Sequence, residues 1–247
     1  MSVRADLALA VVGAIRAGDV AWLRQLLADH PGLATARLDD ESGRGSSRTL
    51  LHVATDWPGH VPRVAEVIEV LVAAGADVDA RFDGSHEETP LHWAASSDDL
   101  EAIDALVAAG ADVEARGGVI GGGTPLDDAR AFAQWRAAHR LVEHGARVSL
   151  ADSATLGLMD RLRDLLDRQQ PSSDELSRAF WGACHGGRLE AAQLLHERGA
   201  DLDWIPPWEE LTPLDAATRS VRENGTAAHD LLAWLVERGA KSATGAQ

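Results

Sequence analysis

Four side chains of this sequence could carry out acid–base chemistry. His60 and His185 are imidazoles, which titrate near neutral pH, and Asp56 and Asp127 are carboxylates that could exchange protons with them. Such a group would suit a small-molecule binding protein or a cofactor-independent acid–base enzyme of the cyclase or isomerase type. No motif links the four residues, so this chemistry requires a fold that brings them within hydrogen-bond reach.

The sequence favours neither nucleophilic catalysis nor a metal site. Cys184 is the only cysteine, and its neighbour His185 would point about 100° away on a helix, so the two do not form a dyad. The ten histidines show no zinc-binding spacing such as His-Glu-x-x-His. A site assembled from His60, His86, His92 and His185 is the remaining metal alternative. We expect no metal and no cofactor.

Two glycine-rich or serine-rich segments could contact an anion but are better interpreted as loops. Residues 117–124 contain five glycines before a predicted helix, and a helix N-terminus attracts anions. No Gly-Lys-Ser/Thr follows, however, and Asp127 and Asp128 would repel phosphate. We therefore predict a flexible hairpin at 117–124 and a mobile insertion at 42–48.

Internal repeats indicate which elements position these residues. Four segments begin alike: Thr49-Leu-Leu-His52, Thr89-Pro-Leu-His92, Thr124-Pro-Leu-Asp127 and Thr212-Pro-Leu-Asp215. Each leads through apolar residues at helical spacing to a Gly-Ala turn, and the turns at Gly75, Gly110 and Gly145 recur every 35 residues. Thr-Pro starts a helix and Gly ends one, so each segment predicts a helix pair that must stack on its neighbours.

These residues resemble the ankyrin repeat family, whose repeat opens with Thr-Pro-Leu-His and closes with Gly-Ala-Asp. The resemblance implies an all-α ankyrin-repeat solenoid of about seven units, some degenerate, with irregular hairpin loops on its concave side. We predict a single domain over residues 1–247 that ends in a flexible tail at 241–247. The predicted units are 5–37, 49–88, 89–123, 124–147, 148–175, 178–211 and 212–240. The short spacing after 124 indicates that the hairpin before Val148 is missing.

The resemblance also separates framework residues from candidate functional ones. In the family, the histidine of the opening motif makes a hydrogen bond within the repeat, which gives His52 and His92 a structural role. Asp127 and Asp215 occupy the same position and should act in the same way. Cys184 aligns with Ala95 at a helix-packing position, so we expect a buried, unreactive thiol.

The aromatic residues are the strongest candidates for a binding surface. The chain has eight Trp, three Phe and no Tyr. Trp22 and Trp234 lie in amphipathic stretches and are predicted to be core residues. The others fall in variable parts of the repeat, and exposed aromatics are typical of binding surfaces. The predicted partner- or ligand-binding residues are Trp57, Phe82, His86, Trp93, Ile120, Phe132, Trp135, Trp181, His185, Trp204 and Trp208. The alternative is that they fill gaps left by irregular repeats.

Charge restricts the choice of partner. The formal net charge is −16, from 39 acidic and 23 Lys and Arg residues, which argues against a nucleic-acid or anionic-membrane partner. We find no export signal and no membrane-spanning segment, and with a single cysteine we expect a cytoplasmic protein. The composition, with Lys241 as the only lysine, favours a bacterial genome of high GC content.

Three functions are compatible with this sequence. The first is a non-catalytic binding module that recognises a protein partner through a concave, Trp-rich, acidic face. The second is the small-molecule binding protein or acid–base enzyme, with its pocket in the concave groove and Trp57, Trp93 and Trp181 as walls. The third is a self-associating subunit whose exposed tryptophans form a homodimer face. The sequence leaves the oligomeric state open.

Overall fold

The computed structural model describes residues 4–39, 45–224 and 228–243. Part of the predicted insertion at 42–48 and most of the predicted tail at 241–247 lie outside these residues. Within them, fourteen α-helices follow one another as seven pairs. The first four pairs are α1 Ala5–Ala17 with α2 Val20–Asp29, α3 Leu50–Thr55 with α4 Val64–Ala73, α5 Pro90–Ser96 with α6 Leu100–Ala108, and α7 Pro125–Ala131 with α8 Trp135–Glu143. The last three are α9 Leu150–Leu156 with α10 Met159–Arg168, α11 Ser173–His185 with α12 Leu189–Glu197, and α13 Pro213–Asn224 with α14 His229–Glu237.

The helices divide between two compact units. Unit 1 is Met1–Arg147 and contains α1 to α8, whereas unit 2 is Val148–Gln247 and contains α9 to α14. A single domain over the whole chain stays a prediction.

Side-chain caps start the helices where the repeat motif predicts. The Thr124 backbone N–H donates to Asp127 Oδ2 at 2.8 Å, and the Asp127 N–H donates to the Thr124 hydroxyl. Ser149 and Asp152 form the same reciprocal pair at α9, and the α11 cap does so with serine and glutamate. These pairs satisfy N–H groups that the first turn of a helix leaves without partners.

Glycines in the left-handed conformation follow the second helices, as predicted. The five Gly-Ala turns begin at Gly75, Gly110, Gly145, Gly199 and Gly239, and all five glycines have φ between 80° and 97°. Residues with a Cβ rarely adopt such angles, so the backbone conformation of the turn explains why glycine occupies these five positions.

Unit 1 is built from two rows of helices. The first helices α1, α3, α5 and α7 pack side by side, and the second helices α2, α4, α6 and α8 form the other row. Fully buried aliphatic side chains fill the space between the rows, among them Leu51, Leu71, Leu91, Ile103 and Leu141. A short antiparallel pair, β1 Arg37–Asp39 with β2 Ser47–Thr49, precedes α3. It is a small addition to an otherwise helical fold.

Unit 2 has an unusually close contact between α9 and α11. A Cβ added to Gly182 would collide with the Thr155 hydroxyl, and one added to Gly186 would collide with the Thr155 carbonyl oxygen. Two glycines one helical turn apart therefore allow α11 to lie directly against α9. Phe180 and Cys184 on α11 are completely buried, as predicted for the thiol, and burial raises the pKa of Cys184.

The start of α11 differs from the predicted repeat boundary. The α11 helix begins at Ser173, so the predicted break between 175 and 178 falls inside this helix. Residues 169–172 alone join α10 to α11, so this connection has no hairpin. The connection from α8 to α9 spans only 144–149, which agrees with the predicted loss of the hairpin before Val148.

Candidate functional site

The first helices of unit 1 are parallel, which gives this unit two distinct ends. At the N-termini of α3 and α5, the backbones of Ser47 and Asp83 form an antiparallel β-bridge, and His52 Nε2 lies 3.0 Å from the Glu88 carbonyl oxygen. At their C-termini, the His60 backbone N–H donates to Asp99 Oδ2 at 2.6 Å. We call these the hairpin end and the turn end of unit 1.

The predicted site residues of unit 1 do not gather at one end. Phe82, His86 and Ile120 lie in the loops of the hairpin end, with Trp93 and Asp127 on the helices that start there. Asp56, Trp57 and His60 lie in the connection from α3 to α4, at the turn end. Phe132 and Trp135 flank the connection from α7 to α8, and the Ala137 N–H donates to Asp98 Oδ1 at 2.7 Å, so they also lie at the turn end. The expectation that all these residues share one side is wrong, because a first helix separates the two groups.

The hairpin end of unit 1 contains an aromatic contact around a framework histidine. The Trp93 ring meets the His52 ring edge-on at 4.8 Å, and Phe82 lies 5.4 Å from Trp93. His86, Phe82 and Trp93 are all half-buried, whereas 41% of Ile120 is exposed. Phe82 and Trp93 therefore pack against neighbouring side chains and are only partly available to a binding partner.

His52 and His92 are structural, as predicted. The Thr89 N–H donates to His92 Nδ1 at 3.1 Å, and His92 Nε2 lies 3.2 Å from the Gly123 carbonyl oxygen, so the ring joins a helix start to the following hairpin. His52 joins Thr49 to Glu88 in the same way. Burial lowers the pKa of both imidazoles to about 4, so both are neutral at pH 7.

A buried carboxylate holds the glycine-rich hairpin. Asp128 is completely buried, and its oxygens accept the backbone N–H groups of Val119 and Ile120 at 3.3 and 3.2 Å. Burial raises the pKa of Asp128 to about 6, and it raises that of Glu88, which Asp128 raises further. The backbone of 117–123 also hydrogen-bonds across the hairpin. The predicted flexible loop is thus tied down, and its N–H groups are used by the protein itself.

The four acid–base candidates are engaged locally. Asp56 pairs with Arg48 at 2.6 Å, and Asp127 accepts the Thr124 N–H. His60 has a 60% exposed side chain whose Nδ1 is 3.9 Å from Asp99. His60 and Asp127 lie at opposite ends of unit 1, so they do not form a pair. His185 belongs to unit 2, where it is buried.

Two surface depressions of unit 1 do not bring the predicted site residues together. A groove of about 750 Å³ lies between α4 and α6 and is lined mainly by alanines, with Glu69, Glu101 and Asp104. A depression of about 370 Å³ at the turn end includes His60 and Arg136 among its lining residues. Trp57, three residues before His60 in the chain, has a side chain that is 78% exposed. In the described part of the chain, no group of three or more His, Cys, Asp or Glu is arranged to hold a metal ion.

Unit 2 brings its three predicted tryptophans together. The Trp208 ring meets Trp181 edge-on at 6.1 Å and Trp204 at 5.8 Å. The Arg178 guanidinium lies 4.7 Å above the Trp208 ring, a cation–π distance. His185 stacks on Trp181 at 5.4 Å. We call Trp181, Trp204, Trp208 and Arg178 the aromatic cluster.

The members of the aromatic cluster differ in exposure. Trp181 is only 6% exposed and donates its indole N–H to the Leu211 carbonyl oxygen at 2.9 Å, so the prediction that it is an open surface residue is wrong. Trp204 donates to Asp174 Oδ1 at 3.1 Å and is half-buried. Trp208 and the neighbouring Ile205 are 51% and 50% exposed. The buried Trp181 thus supports an exposed Trp208.

Sequence reasoning missed two members of this surface and misplaced another tryptophan. Arg178 lies one helical turn before Trp181, which is the signal that could have indicated it. Ile205 lies within the apolar run Trp204-Ile-Pro-Pro-Trp208. Trp22, predicted to be core, is 46% exposed because the buried face of α2 is formed by Val20, Leu23 and Leu26. Trp234 is half-buried and packs against Phe180 and His196.

Paired helices, reciprocal caps and left-handed glycine turns define a helical-repeat protein. Residues 46–82 and 86–118 match the family model described as Ankyrin repeat. The chain therefore contains ankyrin repeats, and the two matched segments contain α3 with α4 and α5 with α6. None of the curated proteins compared with the chain matches it. Within the described residues, no helix is both long enough and apolar enough to cross a membrane.

Proposed function

We propose that this protein is a non-catalytic binding module that docks a protein partner on the aromatic cluster of unit 2. Ankyrin repeats are in general protein–protein interaction modules. The observation that supports this particular surface is the half-exposed Trp208, which contacts the buried Trp181, together with the half-exposed Ile205 in the same loop. Exposed aromatics next to well-packed ones are typical of interface hot spots, because burying them on binding requires little side-chain ordering.

The carboxylates of the loop that carries Trp208 support a partner with basic and apolar groups, and Arg178 is a cation within the cluster itself. Glu210, two residues after Trp208 in the chain, is exposed, and Asp201 and Asp203 lie earlier in the same loop, where Asp203 pairs with Lys241 at 3.9 Å. Glu209 is already paired with Arg219 at 2.6 Å. Together with the net charge of −16, these carboxylates disfavour a nucleic acid or an anionic membrane as the partner. The proposed setting is the cytoplasm, consistent with one buried free cysteine.

Serine substitution tests this surface against a matched control. We expect Trp208→Ser to weaken capture of a protein partner from the native host at least tenfold, because hot-spot tryptophans contribute about 2 kcal/mol or more. Trp22→Ser removes a similarly exposed tryptophan from α2 in unit 1 and should leave capture unchanged. Quantitative pull-down, with circular dichroism to confirm the helical signal, makes the comparison. Equal capture by the two variants would contradict the proposed surface.

Self-association would place a second copy of the chain on the same cluster. Sedimentation equilibrium at several concentrations distinguishes this case, since only a homodimer face makes the mass depend on concentration and on Trp208. No arrangement of the described residues favours the acid–base alternative over a binding module.

A further inference from the structure

We propose that the aromatic cluster of unit 2 recognises a proline-rich segment in the polyproline II conformation, flanked by basic residues. This inference rests on the proposed function, and it names the chemistry of the partner. The first observation concerns the hydrogen bonds made by the indole N–H groups of the three tryptophans in the cluster. Those of Trp181 and Trp204 are satisfied by Leu211 and Asp174. In the described part of the chain, the third, on the half-exposed Trp208, has no acceptor.

A free donor beside apolar rings selects among partner conformations. The backbone carbonyls of an α-helix or of a paired strand already accept hydrogen bonds within their own structure. A polyproline II segment has no internal hydrogen bonds, so its carbonyls remain available while its rings present an apolar surface. Such a segment can therefore accept the Trp208 N–H and pack its proline rings on indole at the same time, which is the general chemistry of aromatic surfaces that bind proline-rich peptides.

The arrangement of the cluster is suited to a rigid ligand. Trp208 is held by edge-on contacts with Trp181 and Trp204 and by the Arg178 guanidinium. A platform held from several sides loses little conformational freedom on binding, and neither does a polyproline II segment. Glu210 is exposed two residues after Trp208 in the chain, and its carboxylate favours an Arg or Lys next to the prolines.

Fluorescence anisotropy with a labelled peptide tests this inference. The probe is a peptide of about eight prolines with one arginine at each end, long enough for several turns of the polyproline II helix. We expect it to bind at least tenfold more tightly than the same peptide with Gly and Ser in place of the prolines. Trp208→Phe keeps an aromatic ring but lacks the N–H, and should weaken binding about fivefold, the effect of one hydrogen bond. The control Trp22→Phe should bind like the parent.

Two further measurements keep the test independent of how well the Trp208 variant folds. The indole N–H resonance of Trp208 in the parent protein should shift during the titration. Glu210→Gln should weaken the arginine-flanked peptide about twofold and leave a serine-flanked version unchanged. Equal affinity for the two probe peptides, unchanged affinity of Trp208→Phe, or tighter binding of an arginine-bearing amphipathic helix would each overturn the inference. Loss of partner capture in Trp208→Ser without binding of the proline peptide would refute this partner class and leave the proposed function standing.

Discussion

At the scale of single residues, burial decides which groups of this protein carry charge at neutral pH. The imidazoles of His52 and His92 are buried and neutral because their pKa values are lowered to about 4. Asp128 is buried as well, but it accepts hydrogen bonds from two backbone N–H groups, which favour its charged form. Its pKa is therefore raised only to about 6. Burial therefore shifts the pKa values of the two imidazoles downward and that of the carboxylic acid upward.

The linked effect on stability follows from proton uptake. Between pH 4 and 6.5 the unfolded histidines bind more protons than the folded ones, so their contribution to stability rises with pH. Folded Asp128 binds more protons than the unfolded residue, whose ordinary pKa is 3.8, so its contribution falls as pH rises through about 6. His86, Asp127 and Glu88 face the same carboxylate and modulate its charge.

Asp128→Asn should make stability rise more steeply with pH. The substitution removes the contribution that falls between pH 4 and 6 and leaves the opposing histidine contribution in place. The asparagine retains one acceptor oxygen, so we expect a loss of about 1 kcal/mol at pH 7. Thermal unfolding at intervals between pH 4 and pH 7 measures the slope. Parallel curves for the variant and the parent would show that Asp128 does not titrate in this range.

At the scale of elements, the contact between α9 and α11 shows how a close approach determines residue type. Gly186 has an ordinary helical φ of −79°, so its backbone conformation does not require glycine. The requirement comes from Thr155, whose carbonyl oxygen occupies the place of a Cβ. Gly13 on α1 is the opposite case, because an added Cβ would meet nothing within 4 Å.

Alanine should therefore have opposite effects at these two glycines. Gly186→Ala is expected to destabilise the protein by about 2 kcal/mol, because the helices must move apart to accommodate a methyl group. Gly13→Ala should stabilise α1 by about 0.5 kcal/mol, because alanine restricts the unfolded chain and favours helix. Urea unfolding of both variants gives the comparison. If Gly186→Ala proved as stable as the parent, the close approach of α9 and α11 would be wrong.

At the scale of the whole molecule, the charge excess should limit stability. The 39 acidic residues outnumber the 23 Lys and Arg residues, which leaves a net charge of −16 that repels itself in any compact state. The ion pairs of the described residues are mostly exposed, for example Arg63 with Glu66 and Arg168 with Asp164, and such pairs contribute little. We therefore expect repulsion to outweigh local pairing.

Added salt should raise the unfolding temperature. An increase in sodium chloride from about 20 mM to about 500 mM shortens the screening length and weakens the repulsion, so we expect a rise of roughly 2 to 5 °C. Differential scanning calorimetry measures it. A decrease in the unfolding temperature would mean that ion pairs, not net repulsion, dominate the electrostatics of the folded state.

Local sequence was sufficient for the helices and for the framework residues. The Thr124 caps, the left-handed glycines and the inward histidines depend on contacts within one repeat or with the next loop, and such contacts leave a periodic signature. The start of α11 was misjudged because no repeat motif marks Ser172, although Ser172 and Glu175 form a capping box. Burial of Trp181 and exposure of Trp22 were also misjudged, because which side of a helix is covered depends on the neighbouring helices.

The amino-acid sequence is enough to predict an all-α fold built from ankyrin repeats, because repeat period, caps and turns are properties of neighbouring residues. The packing of the helices determines which candidate residues meet. It separated Trp57 and His60 from Phe82 and His86 at the two ends of unit 1, and it gathered Trp204 and Trp208 over Trp181 in unit 2. The physical reason is that a binding surface is made by side chains from different elements, whose contacts depend on packing and leave no pattern in the local sequence.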